Sequence, residues 1–413
     1  MATARLGADD RVPRAKSAPK AARVWWQVHQ WVGLKLSLFM AFILFTGTLA
    51  VVSQEIDWLA QPAFRVDPAS VSGPVAWAQI AQNAAAHPGV SAVSIIEAPP
   101  AAAFAARVTV EFADGQPGFL YAHPTSGAVQ GTGPWVGAAR VLRNLHRHLN
   151  LPTKIGVPIV SSLSILLMIS LVTSFVVYKR WWRGFAKPLR RRDARTWWGD
   201  FHRLAGVWSL WFVALIALTG LWYLAESLGL DAPPQTAFEP AEVSAPLAEA
   251  DLAAAFAAGL AAHPNLRVKA AMLPAADNPM LELQGQFSAV LVRPRANAVW
   301  VDVRNNRVRL ITDGRDLSLH QRISEMADPL HFGTFGGYWT KALWFLFGLL
   351  LTGLALSGAA IYSLRIGRER SATLRLSKAF AGMWQGAGRW RSLNLALIAT
   401  GLVMIGYLLA GGQ

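Results

Sequence analysis

The stretch Trp25-Trp26-Gln27-Val28-His29-Gln30-Trp31-Val32-Gly33, at the head of one apolar run, recurs as Trp197-Trp198-Gly199-Asp200-Phe201-His202-Arg203-Leu204-Ala205-Gly206 at the head of another. A constant offset of 173 residues carries His29 onto His202, Gly33 onto Gly206, Thr46 onto Thr219 and Gly47 onto Gly220. Four identities in one ungapped stretch are hard to obtain from apolar composition alone. The chain reads as two copies of one unit.

Both copies sit in a sequence made for lipid. Of 413 residues 53% are hydrophobic and 15% charged, and the mean hydropathy is positive. A hydrocarbon core of about 30 Å takes about 20 helical residues to cross. Apolar runs of that order lie at Val32–Val52, Ile155–Tyr178, Leu204–Leu224, Ala342–Leu364 and Leu393–Ala410. The first exceeds the signal-peptide core of about 7 to 15 residues, so it is expected to be an uncleaved span.

The net charge of +15 invites a nucleic-acid reading, but its placement argues for a membrane. Residues 1–24, 179–196 and 363–392 hold 21 of the 39 Lys and Arg, whereas the long segments 53–140 and 227–339 hold 12. The positive-inside rule then puts the basic stretches in the cytoplasm and both long segments outside, with no nucleic-acid partner. The expected order is a basic tail (1–24), a span (25–52), an exterior unit (53–145), a span (146–178), a basic loop (179–201) and a span (202–225). A second exterior unit (226–330), a span (331–364), a basic loop (365–391) and a fifth span (392–413) complete it.

The exterior segments also match each other. Ala86-His87-Pro88 recurs as Ala262-His263-Pro264 after an Ala-rich stretch, and alternating runs such as Arg107-Val108-Thr109-Val110-Glu111-Phe112 and Val299-Trp300-Val301-Asp302-Val303 follow. Turn signals at Asp114-Gly115, Ser126-Gly127 and Asn305-Asn306 mark hairpins. Two small α+β units are expected. The returning spans repeat more loosely: Leu145-His146 resembles Leu330-His331, and Thr173 to Tyr178 resembles Ser357 to Tyr362 in outline.

With no cysteine in the chain, disulfides, cysteine-held iron–sulfur clusters and thioether-linked haem are excluded. Four histidines border the repeated spans. His29 and His202 begin outgoing helices and form an inner pair, and His146 and His331 precede returning helices and form an outer pair. Imidazoles from two facing helices are a usual axial set for haem iron, so two b-type haems are expected. Gly33 and Gly47 lie four and eighteen residues after His29, on one helical face, and Gly206 and Gly220 repeat this after His202. Such a strip admits a flat macrocycle or a neighbouring helix. The plain reading, histidines anchored among interfacial tryptophans, competes with ligation. On the outer side His148 is a second candidate beside His146, and His320 shares a face with His331 only if helix continues through Pro329.

At these residues the chain resembles the PepSY-associated transmembrane family of bacterial inner-membrane proteins. The resemblance rests on His29 with Gly33 and Thr46-Gly47, Leu145-His146-Arg147, His202-Arg203 with Thr219-Gly220, Pro329-Leu330-His331-Phe332-Gly333, and the two exterior units, each similar to a PepSY domain. It implies a haem-bearing membrane α-helical bundle with periplasmic α+β domains. It also implies oxidoreductase activity of the ferric-siderophore reductase type, in iron acquisition.

The cytoplasmic loops carry no strand, Gly-x-Gly-x-x-Gly, helix order and are too short for a flavin or nicotinamide domain. The donor is expected to be another protein or a membrane quinol, the acceptor a ferric siderophore or other periplasmic compound, and membrane lipids the surroundings. A ligand- or peptide-binding scaffold without redox activity is the alternative. A transporter is disfavoured, because the spans are expected to lack the buried carboxylates and broken helices that mark substrate pathways.

Overall fold

The computed structural model describes residues 20–237, 251–275, 277–367 and 375–411. Most of the expected basic tail, residues 238–250 of the second exterior unit and residues 368–374 of the last basic loop lie outside the described residues. Helix α1 (Lys20–Lys35) runs into α2 (Ser37–Val51), then α3 (Ser53–Ala60) and α4 (Trp77–Ala85). Four strands follow: β1 (Val90–Glu97), β2 (Ala106–Phe112), β3 (Pro117–Ala122) and β4 (Val129–Pro134). The chain returns through α5 (Ala138–His148), α6 (Thr153–Ser161) and α7 (Leu163–Val177).

The same order comes again. Helices α8 (Ala194–Trp208), α9 (Leu210–Ala225) and α10 (Leu252–Ala262) precede β5 (Arg267–Met272), β6 (Met280–Gln286), β7 (Ala298–Asp302) and β8 (Arg307–Thr312). Helices α11 (Leu319–Phe332) and α12 (Gly337–Ile366) return, and α13 (Leu376–Ala387) and α14 (Arg391–Leu409) end the described chain. Among the described residues, four stretches are long and apolar enough to cross a membrane: Thr153–Val177, Leu210–Leu230, Gly337–Ile366 and Leu376–Leu409. The α1–α2 pair makes a fifth if it is counted as one span.

That pair is not the straight helix its hydropathy implies. It bends by 66° at Leu36. In an unbroken helix Phe39 N–H would bond the Lys35 carbonyl, four residues back. Instead the fully buried Asn394 of α14 accepts from Phe39 N at 3.0 Å and donates to Lys35 O at 2.9 Å. One side-chain amide replaces the missing backbone bond, which is a recognised cause of a sharp kink. The second copy also changes helix at Ser209, the position 173 residues after Leu36. The stretch read as a basic loop, 365–391, contains α13. Its Ala379, Gly382, Met383, Gly386 and Ala387 form a buried stripe, and Gly382 packs on the Ala359 carbonyl of α12.

The strands form one antiparallel sheet in the order β4-β3-β2-β1-β5-β6-β7-β8. Two separate exterior units were the expectation. In the structure they fuse, because β1 and β5 pair through Ile95↔Met272, Ile96↔Ala271 and Glu97↔Ala270. Each four-stranded half would otherwise present a bare edge, and the junction satisfies both. A single apolar core runs across it: Ile80, Ala84, Val108 and Leu120 from one half pack with Phe256, Leu283, Val299 and Val301 from the other. The predicted turns are where the strands reverse, with Gly115 at φ +77°, Gly127 at φ +70° and Asn306 at φ +55°. These are left-handed conformations that Gly and Asn tolerate best.

Candidate functional site

Helix α5 brings His146 to the sheet end of the helical region. Its first amide groups are capped from α3: the buried Asp57 accepts from Ala138 N at 2.6 Å and Ala139 N at 3.0 Å. At the other end of α5 the His146 ring lies against α2, where a Cβ on Gly47 would stand 2.5 Å from the ring. Only glycine permits that approach.

His331 comes from the last turn of α11, which ends in a left-handed Gly333. Trp344 of α12 donates its indole N–H to the Leu330 and His331 carbonyls and so fixes that end. The His146 and His331 ring centroids are 6.1 Å apart. Two imidazoles axial to one iron would place theirs roughly 6.3 Å apart, taking metal–nitrogen bonds of about 2.0 Å. The pair fits such a group.

The inner pair comes from two other helices, α1 and α8. His29 of α1 donates from Nδ1 to Thr173 Oγ1 of α7 at 2.9 Å, and His202 of α8 donates from Nδ1 to Ser357 Oγ of α12 at 2.9 Å. Gly358 of α12 lets His202 close in, since a Cβ there would meet its ring at 3.4 Å.

The tautomer of each ring is assigned from the hydrogen bonds of its partner. Thr173 gives its own hydrogen to Ile169 O at 2.7 Å, and Ser357 gives its hydrogen to Leu354 O at 3.1 Å, so each accepts from the imidazole. Thr219 likewise donates to Leu215 O at 2.8 Å and receives His331 Nδ1–H at 2.8 Å. His146 Nδ1–H donates to the Ile43 carbonyl at 2.9 Å. All four rings are therefore held as the Nδ1–H tautomer, which leaves the Nε2 lone pair for a ligand. Outer partners of this kind orient metal-binding histidines.

The other candidates are placed differently. His148 is buried, its Nδ1 has no partner among the described residues, and its Cβ packs on Gly156 of α6. Helix α11 does continue through Pro329, but His320 Nε2 donates to Leu230 O at 3.2 Å and its ring packs on Trp222. Along the glycine strip the two ends differ. A Cβ on Gly33 would meet nothing within 4 Å, and one on Gly206 only Leu354 at 3.7 Å. Gly47 and Gly220 are filled by His146 and Ser164.

Charged side chains brace both ends. Asp200, two residues before His202, accepts from the Arg190 guanidinium at 2.9 and 3.1 Å, and those bonds hold its carboxyl below the usual range. At the sheet end Tyr223 packs its ring 5.3 Å from that of His331 and donates its hydroxyl to Asp328 at 2.7 Å. Arg293 joins Asp328 to the buried Glu325, on which Arg295 also lies.

Residues 26–365 match the PepSY-associated TM region, PepSY_TM. The chain belongs to this family. The PepSY_TM match takes in all four paired histidines and the whole sheet, and it stops before α13 and α14. No curated protein matches this PepSY_TM chain. Four residues of its site were passed over in the sequence: Thr173, Ser357, Thr219 and the Ile43 carbonyl. The signal for two of them was present, since Thr173 and Ser357 open the loosely repeated Thr173 to Tyr178 and Ser357 to Tyr362 stretches. Thr219 shows in the sequence as an identity with Thr46 and carries no further signal there.

Proposed function

We propose that this PepSY_TM protein carries electrons across the bacterial inner membrane, with one b-type haem held by His29 and His202 and a second by His146 and His331. The acceptor is a periplasmic compound, a ferric siderophore by preference, because ferrous iron binds hard oxygen ligands less tightly and is released. When bound, haem supplies a one-electron iron couple.

The single observation that carries the reading is the anchoring of four imidazoles through Nδ1. Each is anchored through Nδ1–H, each keeps Nε2 bare, and they stand as two pairs at opposite ends of the helices. Thr173, Ser357 and Thr219 orient the rings and raise their basicity. Gly33 and Gly206 leave room beside the inner pair. A duplicated helix, sheet, helix unit would account for both pairs, and the positive-inside rule applied to the basic stretches supports a cytoplasmic inner pair and a periplasmic sheet. The donor is a cytoplasmic protein or a quinol.

The scaffold reading draws on a groove of about 180 Å³ between the sheet halves, lined by Ala81, Ser91, Val93, Leu252 and Leu273. One experiment separates the two. A reduced-minus-oxidised spectrum with haem quantitation on wild type, His29→Ala, His202→Ala and His331→Ala is expected to give two b-type haems in wild type. One should be lost on either inner substitution and the other on His331→Ala. A colourless wild type, or equal haem in all variants, overturns the electron-transfer reading and leaves the scaffold.

A further inference from the structure

A cleft of about 840 Å³ opens at the basic end of the helices. Four cations from three separate elements line it: Arg23 of α1, Lys179 and Arg180 just beyond α7, and Arg365 of α12. No carboxylate lines it, and none of the four enters an ion pair among the described residues. At the same end Arg190 and Arg203 share Asp200. The walls are apolar, formed by Trp26, Val176 and Val177, and Arg365 stacks on the Trp26 ring at 4.6 Å.

We propose that this cleft binds the phosphate headgroup of an anionic phospholipid. Concentrated positive charge with no counter-ion among the described residues calls for a phosphate, and basic pockets between membrane helices on the cytoplasmic side hold such headgroups. The apolar walls decide between a lipid and a soluble phosphate. From the cleft, α7 continues an exposed apolar face through Phe175 (39% exposed) and Val172 (49% exposed). Acyl chains attached to the phosphate would cover that face, whereas inorganic phosphate would leave it bare. The bound lipid ties α1, α7 and α12 together. It thereby holds the turn of α1 before His29 onto α7, the helix that bears Thr173. The cleft uses none of the four paired histidines.

The test titrates the purified full chain, in phosphatidylcholine micelles, with phosphatidylglycerol, with further phosphatidylcholine or with inorganic phosphate. Binding is read by lipid retention in native mass spectrometry and by Tm. Phosphatidylglycerol is expected to bind saturably and raise Tm. Arg180→Gln with Arg365→Gln should weaken it by about 10- to 30-fold, from two cations near an anionic surface. Arg191→Gln with Arg192→Gln, which removes the same charge from exposed positions outside the cleft, should leave it unchanged. If the first pair does not fold, Lys179→Gln alone is expected to weaken binding about fivefold. Equal loss in both double variants, an equal Tm rise with phosphatidylcholine, or saturation by inorganic phosphate at the same concentration overturns the proposal.

Discussion

Replacing Asn394 by Leu keeps a branched side chain of four heavy atoms at the α1–α2 bend and removes its amide. Three hydrogen bonds go: from Phe39 N at 3.0 Å, to Lys35 O at 2.9 Å and to Trp390 O at 2.8 Å. If the bend survives, Phe39 N–H and Lys35 O are left unpaired in a dry site, at roughly 1–3 kcal/mol each. If it does not, the two groups bond each other and the helix straightens. The absence of native cysteine makes this measurable by spin labels at Val24→Cys and Phe45→Cys, both on exposed positions. With a rise of about 1.5 Å per residue, the backbone sites are about 31 Å apart in a straight helix and about 27 Å apart across the 66° bend. Double electron–electron resonance on the Asn394→Leu protein is expected to show a distance some 4–5 Å longer, or an unchanged distance with a clearly lower Tm. An unchanged distance together with an unchanged Tm would refute the claim that the amide holds the bend.

Three further outcomes follow from the same geometry. Thr173→Val or Ser357→Ala removes the acceptor of an inner imidazole and should weaken haem binding by about 10- to 100-fold in titrations of the apo-protein, with the outer haem retained. Gly47→Ala places a methyl 2.5 Å from the His146 ring. It should cost about 1–3 kcal/mol in stability and disturb the electron paramagnetic resonance signature of the outer haem alone. Hydrogen bonds from Arg304 and Arg315 hold the Asp302 and Asp313 carboxyls below their ordinary value of 3.8. Because the folded value is depressed, their contribution is fully present above about pH 4 and fades as the pH falls through the folded value. The unfolding midpoint measured from about pH 6 down to about pH 3 should therefore drop less steeply in Asp302→Asn than in wild type.

Much of the helical region and the four paired histidines were legible because they depend on local pattern. An apolar run, a repeated His-x-x-x-Gly and a basic flank are each visible in one stretch of chain. What was missed depends on contacts between distant stretches. The bend at Leu36 is held by Asn394, 358 residues later, and no Pro lies near Leu36 to announce it. Helix α13 hid inside a basic segment because its apolar stripe is short and built of Ala and Gly. The fusion of the exterior units turns on β1 and β5, whose alternation announces a strand and not its neighbour. The hydroxyls on His29 and His202 were hidden for the opposite reason, since Thr and Ser are unremarked in membrane helices until something is seen to bond them.

The joined sheet also sets a timetable for biosynthesis. Strand β1 is complete when Glu97 is made, but its partner edge arrives only with Ala270 to Met272 of β5. At synthesis rates of about 5–20 residues per second, that interval is about 10–35 s. Throughout it the first half presents Ile95 and Ile96 on an open edge to every other nascent copy. Chains made close together on one messenger are thus exposed to pairing β1 with β1 across molecules. Slowing initiation, or shielding that edge until the second half emerges, would favour the correct intramolecular union.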